Sequence, residues 1–427
     1  MNSTTPPPET VWLVAAPAEE VPPAVAEDSL RELASLARTA GAAVAGRSVF
    51  RLRRLNPASY IGPGHAAALA ADVAAARADT VVFDEDLSPA QGRSLENAVG
   101  VRVVDRTQLI LDIFAQRARS VEGRLQIELA QLRYLLPRLR GLWTHLERQK
   151  GGIGLKGPGE KQLELDRRRI EERISRLRER LALVRSRRER LRSARRRQGW
   201  ALVTLVGYTN AGKSTLLNRL ADAAVFADDL LFATLDPTTR QIDLPNHVPC
   251  LLTDTVGFIR KLPHHLVEAF KATLEEVSEA DLLLHVVDAS HPLAEEQIRA
   301  VNDVLRDLGA DAKPVIAVFN KTDLEAGTHQ LARLQDLFTR SVPLSARTGD
   351  GVSRLLDMVC DALRNRSLTL RLSVPAADGR FLARLHASGR ILRQRLYATR
   401  LHLDVLLPPA FLPTIPKDYL RESPPNV

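Results

Sequence analysis

The stretch Gly207-Tyr-Thr-Asn-Ala-Gly-Lys-Ser-Thr215 leaves few folds open to this chain. An apolar run, Ala201 to Val206, precedes it and suits a buried parallel strand, while Leu216, Leu217 and Leu220 follow at helical spacing. Strand, glycine-rich loop and helix form the context in which GxxxxGK[ST] cradles phosphate. The backbone of Gly207, Tyr208, Thr209, Asn210, Ala211 and Gly212, together with the positive end of the following helix, is expected to hold the phosphates. Lys213 is expected to reach the β and γ oxygens, and Ser214, beside Thr215, to ligate Mg²⁺.

Three further stretches choose the base. Leu251-Leu-Thr-Asp254-Thr255-Val256-Gly257 reads as an apolar strand ending in DxxG. Asp254 is expected to hold the Mg²⁺ shell through water, and the Gly257 amide to sense a γ-phosphate. After a second apolar strand, Pro314 to Phe319, comes Asn320-Lys321-Thr322-Asp323. Its terminal carboxylate matches the N1–H and 2-amino donors of guanine, a donor pair that adenine lacks. Ser345-Ala346, after Val342 to Leu344, suits a backbone contact to the guanine carbonyl. Four signals in order, each at a strand end, specify a GTPase domain that binds GTP and GDP.

Catalysis is expected from Lys213, Gly257, Asn210 and a threonine of the first switch. That switch contains Phe232-Ala233-Thr234-Leu-Asp-Pro-Thr-Thr-Arg240 and should precede a strand near Gln241 to Leu244. Thr234 is the expected second Mg²⁺ ligand, with Thr238 and Thr239 as alternatives. Phe258 follows the DxxG motif, where many regulatory GTPases place a water-orienting glutamine. Phenylalanine cannot do that work, so hydrolysis should be slow alone or completed by another group. Asn210 suggests K⁺ near the β/γ phosphates, a charge supplied elsewhere by an arginine finger.

A length of 427 residues predicts two to four domains. The Pro/Thr/Ser-rich start carries no basic segment followed by an apolar one, and no apolar run approaches the ~20 residues that span a bilayer. Cys250 and Cys360 read as core thiols. A cytoplasmic, monomeric protein without membrane insertion is expected.

The net charge of +9 is concentrated in one segment: between Arg167 and Arg197 stand fifteen arginines and four glutamates. The remainder of the chain is therefore slightly acidic. Leu125, Leu129, Leu132, Leu136, Leu139, Trp143 and Leu146 form one helical seam, interrupted at Pro137, and Ile170, Ile174, Leu177, Leu181, Val184 and Leu191 form another. An antiparallel helical hairpin is expected, its connection Gln149 to Lys161 holding five glycines and three lysines in thirteen residues. A fifteen-to-four imbalance repels itself unless an anion neutralises it, and with few aromatics nearby structured RNA is the expected partner. Lys150, Gly151, Gly152, Lys156, Lys161, Arg167 and Arg168 are the expected RNA contacts.

Before the seams, alternating strands (Thr10–Ala15, Ala42–Phe50, Thr80–Phe83, Val101–Val104) and helices predict a parallel α/β domain. Gly62-Pro-Gly64-His65 reads as a structural turn rather than a phosphate site. Past a helix after Gly351, strands at Leu368–Val374 and Leu401–Leu407 flank a helix from Gly379, predicting a small α+β appendage. The Pro-rich tail beyond Pro408 promises no chemistry.

The chain resembles the HflX family of translational GTPases. Tyr60-Ile-Gly-Pro-Gly64, Asp105 to Phe114, Gly151 to Glu160, Gly207 to Thr215, Phe232 to Arg240 and Asp254 to Arg260 carry the resemblance in family order. It implies an α/β architecture: an N-terminal α/β domain at 1–120, a helical hairpin arm at 121–199 with its basic tip at 149–161, a Ras-like P-loop GTPase domain at 200–366, and a small C-terminal α+β domain at 367–427. It also implies binding to the large (50S) ribosomal subunit, GTP-dependent dissociation of stalled ribosomes and partner-stimulated hydrolysis. The tip is the part expected to approach ribosomal RNA. Leu155, Lys156 and Lys161 stand there where the family motif has Thr, Arg and Thr, which removes a hydroxyl and a planar guanidinium. The alternative is an assembly or RNA-binding factor that uses GTP as a switch without splitting ribosomes.

Overall fold

The computed structural model describes residues 8–141, 158–198, 200–221, 231–232, 237–245, 249–261, 274–363, 368–407 and 409–421. Contacts divide the chain into two units, one of residues 1–183, 228–236 and 260–271, the other of 184–227, 237–259 and 272–427. Among the described residues no helix is long and apolar enough to cross a membrane.

The first unit is built on parallel strands β1 (Thr10–Ala15), β2 (Ala43–Val49), β3 (Thr80–Phe83) and β4 (Arg102–Asp105), in the order β2-β1-β3-β4. Helices α1 (Pro23–Thr39), α2 (Pro63–Ala76), α3 (Pro89–Val99) and α4 (Arg106–Arg117) connect and follow them. Proline opens the first three, where its missing N–H is not needed. Ser88 and Gln91 form a reciprocal capping box on α3, and the Asp105 carboxylate caps α4 by accepting from the Gln108 N–H at 2.9 Å. Gly62 is the N-cap of α2, and His65 stacks on Phe50 with ring centroids 4.9 Å apart, so this turn has a structural use.

Where β3 ends, the chain places Asp84 and Glu85 in the interior. Such carboxylates are tolerable only with cations beside them. Arg106, 1% exposed, donates from Nη1 to Asp84 Oδ1 at 2.6 Å and pairs through Nη2 with Glu32. Lys261 pairs with Asp84 and Glu85, and Arg260 with Asp28. Burial still raises the Glu85 pKa, and the nearby Lys261 charge opposes it.

Helix α5 (Val121–Leu135) starts on a Ser120 cap and gives way to a 3₁₀ turn over Leu136–Gly141, the interruption expected at Pro137. Helix α6 (Pro158–Gln198) runs for 41 residues, roughly 60 Å at 1.5 Å per residue. Its seam residues Ile174, Leu177 and Leu181 are buried, as are Leu125 and Leu129 of α5, and an Arg173–Glu128 pair at 2.7 Å joins the two helices. Trp143, Leu146 and the connection through residue 157 lie outside the described residues.

The second unit carries a six-stranded sheet: β5 (Ala201–Gly207), β6 (Thr238–Asp243), β7 (Pro249–Asp254), β8 (Leu282–Asp288), β9 (Val315–Asn320) and β10 (Ser341–Pro343), in the order β10-β9-β8-β5-β7-β6. All pairs are parallel except β6 with β7. Helices α7 (Lys213–Ala221), α8 (Ala294–Asp307) and α9 (Val352–Leu363) complete this α/β layer. Cys250 and Cys360 lie in its core as free thiols, and burial pushes the Cys250 thiol up to about 12, which makes it inert.

Toward the C-terminus, β11 (Leu368–Pro375), α10 (Gly379–Ser388), β12 (Arg390–Tyr397) and β13 (Arg400–Leu407) form an antiparallel sheet of order β11-β13-β12 with one helix. The tail has more use than its proline content suggests. Phe411 and Ile415 are buried in this small core, and the Tyr419 hydroxyl donates to Asp378 Oδ2 at 2.8 Å.

Replacing Arg106 by Met should cost about 3–5 kcal/mol, because it removes the buried cation shared by Asp84 and Glu32 and leaves Asp84 to Lys261. Arg47→Ala, which breaks the half-exposed Arg47–Glu27 pair, should cost under ~1 kcal/mol. Urea unfolding of the two variants checks the contrast, and equal midpoints would refute it.

Candidate functional site

The glycine-rich loop takes its shape from two close approaches. At Gly207 (φ 151°) a Cβ would strike the Val286 carbonyl, and at Gly212 (φ 95°) it would strike the Asn320 side-chain amide. Only glycine lets the loop pass so near both strands. Asn210 takes the left-handed conformation at φ 59° and is exposed. The helix that follows begins at Lys213, which puts the N-terminal amides of α7 at the loop.

Lys213 is 6% exposed and donates from Nζ to the carbonyls of Gly207 (3.0 Å) and Tyr208 (2.7 Å). Desolvation lowers its pKa to about 8, opposed by the negative charge of Asp254. Ser214 Oγ donates to Asp254 Oδ2 at 2.7 Å. A hydroxyl beside a carboxylate is the hard-oxygen pairing that suits Mg²⁺.

The DxxG segment is tied to this loop along its backbone. The Phe258 N–H donates to the Gly207 carbonyl at 3.1 Å, and the Thr209 N–H to the Phe258 carbonyl at 2.8 Å. Thr255 Oγ1 donates to the Leu205 carbonyl at 2.7 Å, and Val256 is buried. A Cβ on Gly257 would lie 2.8 Å from Thr209 Cγ2 and 3.0 Å from Lys213 Nζ, so a side chain there would collide with the lysine. The ring of Phe258 is 2% exposed.

Asn320, at the end of β9, serves as a latch. Its Nδ2 donates to the Ala211 carbonyl at 2.8 Å, and its Oδ1 accepts from the Ala346 N–H at 2.9 Å. Lys321 (φ 65°) pairs with Asp288 Oδ2 at 2.6 Å, and the Thr322 N–H points to the Leu344 carbonyl at 3.4 Å. Asp323 Oδ1 accepts from the Ser345 hydroxyl at 2.7 Å, and its other oxygen pairs with Arg347. The Ser345 hydrogen bond, with Arg347 assisting, holds this carboxyl below the usual range, as an acceptor for guanine must be.

Residues Gly207–Thr215, Asp254–Gly257, Asn320–Asp323 and Ser345–Ala346 are thus gathered at one end of one sheet. Sequence reading missed Arg219, whose guanidinium donates to the Ala346 carbonyl at 3.2 Å and also reaches that of Arg347. It missed Asp288 and Arg347 as well, since none of the three lies in a motif. Phe232 belongs by contact to the first unit, where its ring meets Phe114 edge-on at 4.5 Å. Ala233 and Thr234 lie outside the described residues. The alternatives Thr238 and Thr239 lie in β6, where Thr238 pairs with Asp254 and the Thr239 hydroxyl bonds to that of Thr253 at 2.9 Å.

Of the expected RNA contacts, Lys150, Gly151, Gly152 and Lys156 lie outside the described residues, and Lys161 is in the first turns of α6. Arg167 and Arg168 are exposed on that helix, paired with Glu171 (2.9 Å) and Glu172 (3.6 Å) one turn on.

Comparison with known proteins decides the family. Residues 27–115 match the family described as GTP-binding GTPase N-terminal, 117–195 the GTP-binding GTPase middle region, and 202–321 the 50S ribosome-binding GTPase family. GTPase HflX of Lacrimispora saccharolytica is 45% identical over 90% of each chain, and GTPase HflX of Escherichia coli 48% identical over 84% of each. The chain belongs to the HflX family. It is therefore a GTPase that hydrolyses GTP on the P-loop site described above. Among solved structures, a crystal structure titled as the SsGBP and GDP complex is 25% identical, with a TM-score of 0.48, covering 84% of this chain and 99% of that one.

The buried lysine gives this HflX protein a pH signature. A bound triphosphate favours the ammonium form and should lift the Lys213 pKa back from about 8. Binding then takes up a proton above pH 8, and affinity falls by up to about tenfold per pH unit. Calorimetry in buffers of different ionisation enthalpy should detect that uptake in wild type and not in Lys213→Met.

Proposed function

We propose that the protein binds the large (50S) ribosomal subunit and, in its GTP state, dissociates stalled or arrested 70S ribosomes, with hydrolysis stimulated by the ribosome. The observation that carries this reading is the coupling, in one chain, of a P-loop GTPase domain to a 41-residue arginine-rich helix beside a glycine- and lysine-rich stretch. The match to a family described as 50S ribosome-binding GTPase supports it.

In this reading Lys150, Gly151, Gly152, Lys156 and Lys161 of the tip, with Arg167 and Arg168, meet ribosomal RNA through phosphates. The binding is accordingly salt-dependent. Mg²⁺ would be held by Ser214 and Thr234, with Asp254 acting through water, and would supply charge neutralisation at the β and γ phosphates. The four-domain division at residues 1–120, 121–199, 200–366 and 367–427 belongs to the same proposal, as does a cytoplasmic monomer.

Light scattering of 70S ribosomes tests the proposal. Scattering should fall with GTP or a nonhydrolysable analogue and not with GDP. Co-sedimentation with the large subunit without any fall would instead favour an assembly or switch role, and would implicate Leu155 and Lys161.

Phe258 is buried, so hydrolysis needs charge from elsewhere, and Asn210, exposed on the loop, is the group assigned to K⁺. Turnover should be several-fold faster in KCl than in NaCl and lose that difference in Asn210→Ala. Equal rates in the two salts would remove K⁺ from the scheme.

A further inference from the structure

The C-terminal sheet has one covered face and one open face. Leu403 and Val405 of β13, with Leu372 and Val374 of β11, are buried against Phe381, Leu385, Phe411 and Ile415. Residues alternating with these point the other way. The strand register puts Asp404 between Arg371 and Arg393, His402 between Ser373 and Arg395, and Arg400 between Pro375 and Tyr397. Three rows of this open face thus carry four arginines, a tyrosine and a histidine.

We infer that this open face is a second RNA-binding surface, with Arg393 and Arg395 taking phosphates and the Tyr397–His402 pair taking a base. Asp404 is the one carboxylate in these rows, and it pairs with Arg371 at 3.6 Å. Arg393 and Arg395 are exposed and have no carboxylate partner among the described residues. They stand two residues apart on a strand, about 6.6 Å, a step comparable to that between successive phosphates of an extended strand. Tyr397 is 53% exposed, and its ring centroid lies 4.7 Å from that of His402 with the planes 32° apart. Partial desolvation lowers the His402 pKa, helped by Arg421 and Arg400, so the ring is neutral at physiological pH within a positive field. Arg400 is held back by Ser373, donating to its Oγ at 2.9 Å and its carbonyl at 2.6 Å, and contributes field more than a free donor.

Charge argues for nucleic acid over protein. Residues 367–427 hold nine Lys or Arg against four Asp or Glu. The sheet's edges are β11 and β12: Leu420 already bridges to Leu372 on β11, and at β12 arginines and the register shift between Ile391 and Arg393 oppose edge-to-edge pairing. An antiparallel sheet with stacked rings and flanking cations is a platform on which unpaired RNA bases stack. The surface is built from other residues than the basic arm, so it stands or falls independently of the ribosome-splitting reading.

The test uses the full chain and an RNA hairpin whose single-stranded loop carries 4-thiouridine. Ultraviolet cross-linking followed by peptide mapping should place adducts within residues 393–402, and Arg167→Glu/Arg168→Glu in the arm should leave those adducts in place. Arg393→Glu/Arg395→Glu should weaken binding about tenfold or more and reduce the salt slope by nearly two, at about 0.7–0.9 per phosphate contact. Arg393→Lys/Arg395→Lys should retain most of the affinity. Tyr397→Ala, which removes one exposed ring, should abolish the cross-link without changing the salt slope. Basal GTP turnover, which uses none of these residues, reports folding of every variant. Adducts confined to residues 150–197, with an unchanged salt slope in Arg393→Glu/Arg395→Glu, would overturn the assignment.

Discussion

One side-chain amide, that of Asn320, ties together three loops at one end of the six-stranded sheet. It donates to the Ala211 carbonyl in the phosphate loop and accepts from the Ala346 N–H in the loop beyond β10, while its backbone begins the segment that ends in Asp323. Both bonds are buried, so losing the amide would leave a carbonyl and an N–H unsatisfied at once. The absence of a Cβ at Gly212 is what lets the amide come so close. The glycine-rich loop and the segment that ends in Asp323 are therefore linked through one residue, and Arg219, bonded to the Ala346 carbonyl, braces the same corner from α7.

The first unit depends on a different economy of charge. Asp84, Glu85 and Glu32 could not remain ionised in its interior alone, and their cations come from distant parts of the chain: Arg106, which starts α4, and Lys261, which follows the DxxG segment. Arg260 adds a pair with Asp28, and its carbonyl accepts from Arg106 at 3.2 Å. Residues 260–271 are thereby grouped with the N-terminal sheet although β7, which precedes them, belongs to the other unit. Phe232, from the segment before β6, joins the same unit through Phe114.

The sequence made the nucleotide site legible because each motif sits at the end of an apolar strand, and the local period fixes both strand and loop. The break at Pro137 is legible too, because one residue's chemistry decides it. Three features stayed hidden. Helix α4 was passed over because its residues Arg106, Thr107, Leu109, Ile110 and Leu111 are buried on nearly all sides, which erases amphipathic contrast. The cluster at Asp84 depends on pairs 22 to 177 residues apart in the chain, which no local pattern encodes. Strand β12 was missed because Arg-Ile-Leu-Arg-Gln-Arg-Leu-Tyr lacks clean alternation: the irregularity between Ile391 and Arg393 breaks the period, and the edge position leaves both Gln394 and Leu396 exposed.

That missed strand bears on how charge is distributed through the molecule. On α6 the glutamates are placed to pair with arginines one turn away, as in Arg167–Glu171 and Arg176–Glu172, yet four glutamates cannot balance fifteen arginines. On the C-terminal sheet one aspartate, Asp404, stands between Arg371 and Arg393, with Arg395 and Arg400 in the next two rows. Exposed pairs of this kind contribute little to folding, so the uncompensated cations are not explained by stability. The N-terminal interior gathers carboxylates, while the long helix and the terminal sheet carry an excess of arginine. The acidic groups of the first unit hold distant segments of the chain together, and the basic excess lies in other stretches of the sequence.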